Sequence, residues 1–242
     1  MEHGFVKVAA VTPKIRVADP AYNAQVVCEA LQNIYEKGAK IIVFPELCLT
    51  GYTCNDLFLQ ERLLEEAKIA LQTVKRVTEG QDALVFVGLP LERDGKLYNV
   101  AAVLQDGEIL GFIPKRNIPT YAEFYEGRHF AKGNAEVVSF YLEDEEIPFG
   151  SNLLFTCTNM KGLTVGCEIC EDLWVADPPS THHALMGATV IVNLSASNET
   201  VGKDAYREML SSLPVRGFYA HIFMLLRERE SPHRIWCSEG II

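Results

Sequence analysis

Two periods of apolar residues alternate along the chain. Residues 6–12, VKVAAVT, form a β-branched apolar run, the pattern of a strand buried on both faces. Residues 20–37, PAYNAQVVCEALQNIYEK, instead place Val26, Val27, Ala30, Leu31, Ile34 and Tyr35 on one helical face behind Pro20. Gly38 closes that helix, and AKIIVFPE reads as a second strand ending at Pro45. A helical pattern over 60–78 leads into the strand ALVFVGLP, and LYNVAAVLQDGEILGFIPK gives two strands around an Asp106-Gly107 hairpin turn. LTVGCEIC is a strand, 177–187 a helix, TVIVNLSA a strand, and a further helix starts near Lys203. Alternating helices and strands with an antiparallel hairpin in the middle predict a layered α/β domain, not a strictly doubly wound one.

Composition narrows the partners. The 242 residues are 48% hydrophobic and 22% charged, enough for one large domain with a buried core. Net charge is −10 with no block of Lys and Arg, which argues against nucleic acid or anionic membranes as partners. No apolar run reaches the roughly 20 residues of a bilayer span, and the N-terminus lacks the pattern of a signal peptide. Seven cysteines, odd in number and without framework spacing, fit free thiols in a reducing cytoplasm. Neither GxxxxGK[ST] nor GxGxxG follows a strand, so no nucleotide-binding motif is present.

Unusual residues collect at strand ends. Glu46 in FPELCLTGY follows the strand that ends at Pro45; at the edge of an apolar core, desolvation raises a carboxyl pKa toward that of a general base. Lys115 in PKRNIPTYAEFYEGRHF follows the strand GFI, where an ammonium could stabilise an oxyanion. Taken singly, each segment reads first as a charged surface loop. The third stretch, VGCEICEDLW at 165–174, carries Cys167 and Cys170 on a strand, where period-2 alternation sends them to opposite faces. That separation, with His182 and His183 adjacent and no second ligand pair, disfavours a zinc site. Cys170 ends the strand at an elbow exposed to the cleft, with following N–H groups free to face an oxyanion, so it is the candidate nucleophile. Cys167 reads as a small buried residue. A carboxylate would take the thiol proton, with a cation near the sulfur. Glu46, Lys115 and Cys170 supply that set, and the joint pattern is far more specific than any member.

These residues resemble the nitrilase, or carbon–nitrogen hydrolase, superfamily, marked by a Glu–Lys–Cys triad in this order. More narrowly, PELCLTGYTCNDLFLQ, PKRNIPTYAEFYEGRHF, EICEDLWVADPPS and IVNLSASNE resemble the glutaminase domain of the glutamine-dependent NAD+ synthetases, over most of 5–212. The resemblance implies an α-β-β-α sandwich that hydrolyses the side-chain amide of glutamine through a thioester. It makes Glu46 the general base, Cys170 the nucleophile, and Lys115 with the backbone N–H of Glu171 the oxyanion site. Glu126 would orient Lys115 and assist proton transfer, while Tyr52, Tyr121 and Phe124 would line the glutamine pocket. No cofactor is expected in this domain; ATP and Mg would belong to a synthetase domain outside these residues, and full-length members are expected to be homo-oligomers. A stand-alone amidase acting on another small ω-amide, or an inactive truncated product, are the competing readings.

The family pattern breaks after AYREMLSS, where the chain reads LPVRGFYAHIFMLLRERESPHRIWCSEGII. Codons built from the third base of one residue and the first two of the next permit a family-like reading: Arg234 to Ile242 then allows Asp-Leu-Val-Phe-Gly-Gly-His-Asn. Residues 1–212 are therefore read as the amidohydrolase domain, and 213–242 as an out-of-frame tail. GFYAHIFMLL is apolar enough to fill a core-strand slot crudely, whereas the tail is expected to be irregular beyond about Leu226 and the isolated chain weakly active or inactive.

Overall fold

A computed structural model describes residues 5–197 and the backbone of the strand His221–Leu225. The first half builds α1 (Pro20–Glu36) and α2 (Glu61–Val77) between the strands β1 (Val8–Ala10), β2 (Ile41–Val43) and β3 (Leu84–Arg93). Then β4 (Lys96–Gln105) and β5 (Glu108–Pro114) form the expected hairpin, with Asp106 and Gly107 both at positive φ, 48° and 75°. Those two angles make the mirror-image turn whose twist matches the flanking strands. Next come β6 (Val138–Leu142), β7 (Glu145–Phe149), β8 (Leu154–Thr156), β9 (Thr164–Ile169), α3 (Pro179–Leu185), β10 (Val190–Leu194) and β11 (His221–Leu225).

Two sheets result. Seven strands order as β1-β2-β3-β4-β5-β7-β6, and four as β11-β10-β9-β8. Side-chain alternation assigns the faces. Ile41, Val43, Leu84, Phe86, Ala101 and Val103 pack against Val165, Ile169, Val190, Val192 and Leu194 between the sheets. The intervening residues Ile42, Val85, Val87, Ala102 and Leu104 pack against Val27, Leu31, Leu71 and Val74 of α1 and α2. The central strands are apolar on both faces because both are covered, which is why they read as continuous runs. With α3 against β9, the layers are helix, sheet, sheet, helix, the expected sandwich.

Local chemistry explains the ends of the first helix. The Asp19 side chain accepts the Tyr22 N–H at 3.1 Å before Pro20, and Gly38 at φ 76° receives the chain after the last turn. The helix over 177–187 contracts to Pro179–Leu185, because Pro178 and Pro179 cannot supply interior N–H groups. The strand β11 pairs in parallel with β10 from Val190 to Leu194, so residues of GFYAHIFMLL occupy the edge of the second sheet. The helix expected near Lys203 and the tail beyond Leu226 lie outside the described residues. No helix among the described residues is long and apolar enough to cross a membrane.

Candidate active site

Glu46, Lys115 and Cys170 each follow the end of a strand. Glu46 sits in a tight turn after β2, with Cys48 N–H bonding Pro45 O at 3.2 Å and Gly51 N–H bonding Leu47 O at 2.7 Å. That turn lies directly on β3: a Cβ on Gly88 would come within 2.4 Å of Leu47 N and 2.5 Å of Pro45 O. Only glycine permits this approach of two backbones. Lys115 follows β5 and continues its pairing, its N–H bonding Asn99 O of β4 at 2.9 Å.

Inside, the side chains converge. Lys115 Nζ lies 2.6 Å from Glu46 Oε1 and 2.6 Å from Glu126 Oε1, and all three side chains are buried. Asn99 Nδ2 donates to Glu46 Oε1 at 2.7 Å and reaches Glu126 Oε2 at 3.4 Å. The Tyr52 hydroxyl donates to Glu126 Oε1 at 2.7 Å, and Ala196 N–H donates to Glu46 Oε2 at 2.9 Å. Taken singly, the Lys115 segment reads as a charged surface loop; the Lys115 side chain is instead fully buried, at 0% exposure. Burial opposes its charge, but Glu46, Cys170 and Glu126 outweigh that and hold the ammonium above its ordinary range. Burial, reinforced by Glu46, raises the Glu126 carboxyl, with Lys115 pulling the other way.

Cys170 opens a 3-10 helix, Cys170–Trp174, immediately after β9 and takes φ 46°. A non-glycine residue there carries strain of about 1–3 kcal/mol and persists only when its surroundings enforce it. Asp172 enforces it. Its carboxylate accepts Ile169 N–H at 3.1 Å from one side, and Arg116 N–H at 3.1 Å and Asn117 N–H at 2.8 Å from the other. One buried side chain thus ties the cysteine turn to the loop that carries Lys115.

Two expectations about Cys170 are corrected. The side chain is 4% exposed, not open to the cleft, and it packs with Cys167 against the same inter-sheet cluster. The alternation that would have sent the two sulfurs to opposite faces ends at Ile169, where the positive φ of Cys170 turns the chain. Both thiols are free. Cys170 lies within electrostatic range of Glu46, Lys115 and Glu126. Burial and then Glu46 push the thiol up to about 12 against the pull of Lys115, so at neutral pH the resting sulfur keeps its proton. Among the described residues no histidine joins this group: His129 of the Lys115 loop faces Asp56 at 3.0 Å and the Phe58 ring at 5.8 Å.

The remaining candidates lie nearer the surface. The Tyr121 hydroxyl donates to Glu171 Oε2 at 2.9 Å, and its ring meets Phe124 edge-on at 5.6 Å. Tyr121 is exposed and Phe124 buried, a wall half in solvent. A narrow cavity bounded by Ile15, Pro45, Tyr52 and Ala196 reaches Glu46. Sequence reasoning missed Asn99 and Asp172. Each had a signal, a polar residue interrupting an apolar strand (LYNVAAVL) or standing two residues after the candidate nucleophile (CED).

An α-β-β-α sandwich with a carboxylate–lysine–carboxylate cluster beside a cysteine on a strained strand end defines a class of hydrolase. The model of the carbon-nitrogen hydrolase family matches residues 7–227, and the chain belongs to that family, as a hydrolase acting on amides. Glutamine-dependent NAD(+) synthetase of Mycobacterium tuberculosis is 41% identical over 233 residues, 95% of this chain and 34% of the relative. That of Thermotoga maritima is 36% identical over 203 residues, 84% of this chain and 31% of the relative. The crystal structure of a glutamine-dependent NAD(+) synthetase from Cytophaga hutchinsonii superposes with a TM-score of 0.75 at 29% identity, over 86% of this chain and 33% of that one. Nit3 of Saccharomyces cerevisiae, of the nitrilase superfamily, shares the fold with a TM-score of 0.69 at 17% identity, over 93% of this chain and 76% of that one. The chain thus spans about a third of the length of the synthetases it matches.

Proposed function

We propose that this chain hydrolyses the side-chain amide of glutamine to glutamate and ammonia, as the ammonia-supplying part of a glutamine-dependent NAD+ synthetase. The observation that carries the reading is the buried Glu46–Lys115–Glu126 cluster set against Cys170. The similarity to NAD(+) synthetases over nearly the whole chain supports glutamine as the amide.

The resting thiol is neutral, so a base must accept its proton during attack. Glu46 takes the proton as the Cys170 sulfur bonds to the amide carbon. The charge that builds on the carbonyl oxygen is met by Lys115 and the Glu171 N–H. Collapse of the adduct breaks the carbon–nitrogen bond, the nitrogen receives the proton from Glu46, and ammonia leaves a thioester. Glu46 then deprotonates a water that attacks the thioester, and returns that proton to sulfur as glutamate departs. Protons and bonds balance over the cycle. Glu126 holds Lys115 and Asn99 holds Glu46 in register throughout, since each bonds one member of the pair. Tyr52, Tyr121, Phe124 and Glu171 bound the substrate pocket, with Glu171 and Tyr121 at its outer end, suited to an α-ammonium group.

Ammonia release measured from glutamine and from a panel of other small ω-amides tests the assignment. Glutamine is expected to lead the panel. Equal release from all of them would replace glutaminase by a general amidase.

A further inference from the structure

The pairing of β9 with β10 ends at Ile169 and Leu194, so Cys170 on one strand and Ser195 on the other come just past its last rung. These two chain ends carry the nucleophile and, at Ala196, the N–H that donates to Glu46 Oε2 at 2.9 Å. Beside the last rungs of that ladder runs a line of buried polar side chains. Alternation puts Glu168 and its β10 partner Asn193 on the sheet face turned away from the inter-sheet core. Asn193 Nδ2 donates to Glu168 Oε1 at 3.2 Å, and the Ser195 hydroxyl donates to Asn193 Oδ1 at 2.7 Å. Glu168 Oε2 accepts the Ser180 N–H, at the start of α3, at 3.0 Å. Glu168, Asn193 and Ser195 are 1%, 0% and 0% exposed, so water does not compete for these bonds.

Donors and acceptors match along the line. An ionised carboxylate only accepts, so Glu168 meets two N–H donors, and the Asn193 amide turns its NH2 to the acid and its oxygen to the hydroxyl. Each bond fixes a segment that matters to the site. The bond from Glu168 to Ser180 brackets residues 168–180, the segment that carries Cys170. The bond from Ser195 to Asn193 fixes the chain immediately before the Ala196 N–H. Asp172 ties the cysteine turn to Ile169 and to the Lys115 loop. The Glu168 line instead runs toward β10 and the support of Glu46. We propose that Glu168 is a positioning residue: joined to Asn193, it fixes the Cys170 end of β9 against the Ala196 end of β10, and so sets the separation between the nucleophile and its base, Glu46. It acts through the two chain ends and not on the reacting atoms. A shift of about 1 Å between reacting groups is enough to slow a reaction about 100-fold, so small slippage of these ends is costly.

The inference rests on Cys170 as nucleophile with Glu46 as its base, and its test reads the thiol without turnover. Iodoacetamide alkylation of Cys170 is timed by peptide mass spectrometry at pH 8, above the value of about 7 to which burial and then Asp172 raise the Glu168 carboxyl. In this displacement a sulfur–carbon bond forms, iodide leaves and the thiol proton passes to Glu46, so Glu46→Gln is expected to slow it. Glu168→Ala should slow alkylation by about 10- to 100-fold. In the Glu46→Gln background the same change should slow it by less than about 2-fold, because the separation it disturbs no longer matters. Glu168→Gln keeps an oxygen for the Ser180 N–H and lets the Asn193 amide turn over to meet its NH2, so most of the rate should return. If near-ultraviolet circular dichroism shows that Glu168→Ala does not fold, Asn193→Ala takes its place in the same comparison. Equal slowing with and without Glu46 would make the line a structural brace only and overturn the proposal, as would a parent rate for the folded variant. Failure of the underlying reading looks different: Glu46→Gln alone would then alkylate at the parent rate, and the proposal falls with it.

Discussion

Lys115→Met removes one ammonium from between two buried carboxylates and keeps the length of the side chain. Its Nζ is 2.6 Å from an oxygen of both Glu46 and Glu126, with all three side chains out of solvent. Removing one partner of a buried ion pair costs about 3–5 kcal/mol, because the desolvated charge left behind has no counterion. For a chain of 150–250 residues about 1 kcal/mol moves the melting midpoint by roughly 2–4 °C, so a loss of about 6–20 °C is expected at pH 8. The sign of the pH dependence follows from Glu126, already raised by burial and Glu46 and partly relieved by Lys115. Without the ammonium its folded-state pKa rises further. A carboxyl raised on folding favours the folded state at low pH, and that contribution is lost as pH climbs through the raised value. The deficit of the variant should therefore be largest at pH 8 and shrink toward pH 5. Thermal melts by circular dichroism at both pH values measure it. A midpoint within about 1 °C of the parent at pH 8, or an equal deficit at the two pH values, would refute the buried ion-pair reasoning.

Other perturbations test other links. Cys170→Ala should abolish thioester formation with folding nearly intact, while Cys167→Ala keeps whatever ammonia release the parent shows; the reverse would mean that the wrong sulfur was chosen. Gly88→Ala forces a methyl to within 2.4 Å of Leu47 N and should cost about 1–3 kcal/mol or more in urea titrations. It should also displace the Glu46 turn and lower ammonia release, and an unchanged midpoint would show that the two backbones can separate freely. We propose that the residues from about 213 onward are read out of frame, and resequencing the gene across codons 205–242 tests this. An unbroken frame, with no family-like reading one base away, would end that idea.

The candidate groups Glu46, Lys115 and Cys170 were legible because each stands where an apolar run stops. IIVFPE, GFIPK and CEICED all end a buried strand and then present a charge or a thiol. Glu126, Tyr52, Tyr121 and Phe124 came only from the family resemblance, since a loop of mixed aromatics and acids has no period that singles them out. Asn99, Glu168 and Asn193 were passed over because each is one polar position inside a strand, and its importance lies in the partner opposite: Glu168 faces Asn193 only once β9 and β10 are in register. The strands β6 and β7 went unassigned for a similar reason. In Val138–Leu142 and Glu145–Phe149 only alternate residues are buried, and the acidic turn between them hides the period. The depth of the site was not legible either. Lys115 and Cys170 sit at strand ends, where a chain usually meets solvent, and only the second sheet closing over the first makes them interior.

The central claim is that the Cys170 sulfur attacks the side-chain carbonyl of glutamine. Incubating the chain with a glutamine analogue that carries an electrophilic carbon in place of the amide, then mapping the adduct by peptide mass spectrometry, tests it directly. One adduct on Cys170, suppressed by excess glutamine and absent in Lys115→Met and Cys170→Ala, is the expected result. Labelling of Cys167 or of exposed nucleophiles alone, or labelling of Cys170 that glutamine does not suppress, would contradict the account.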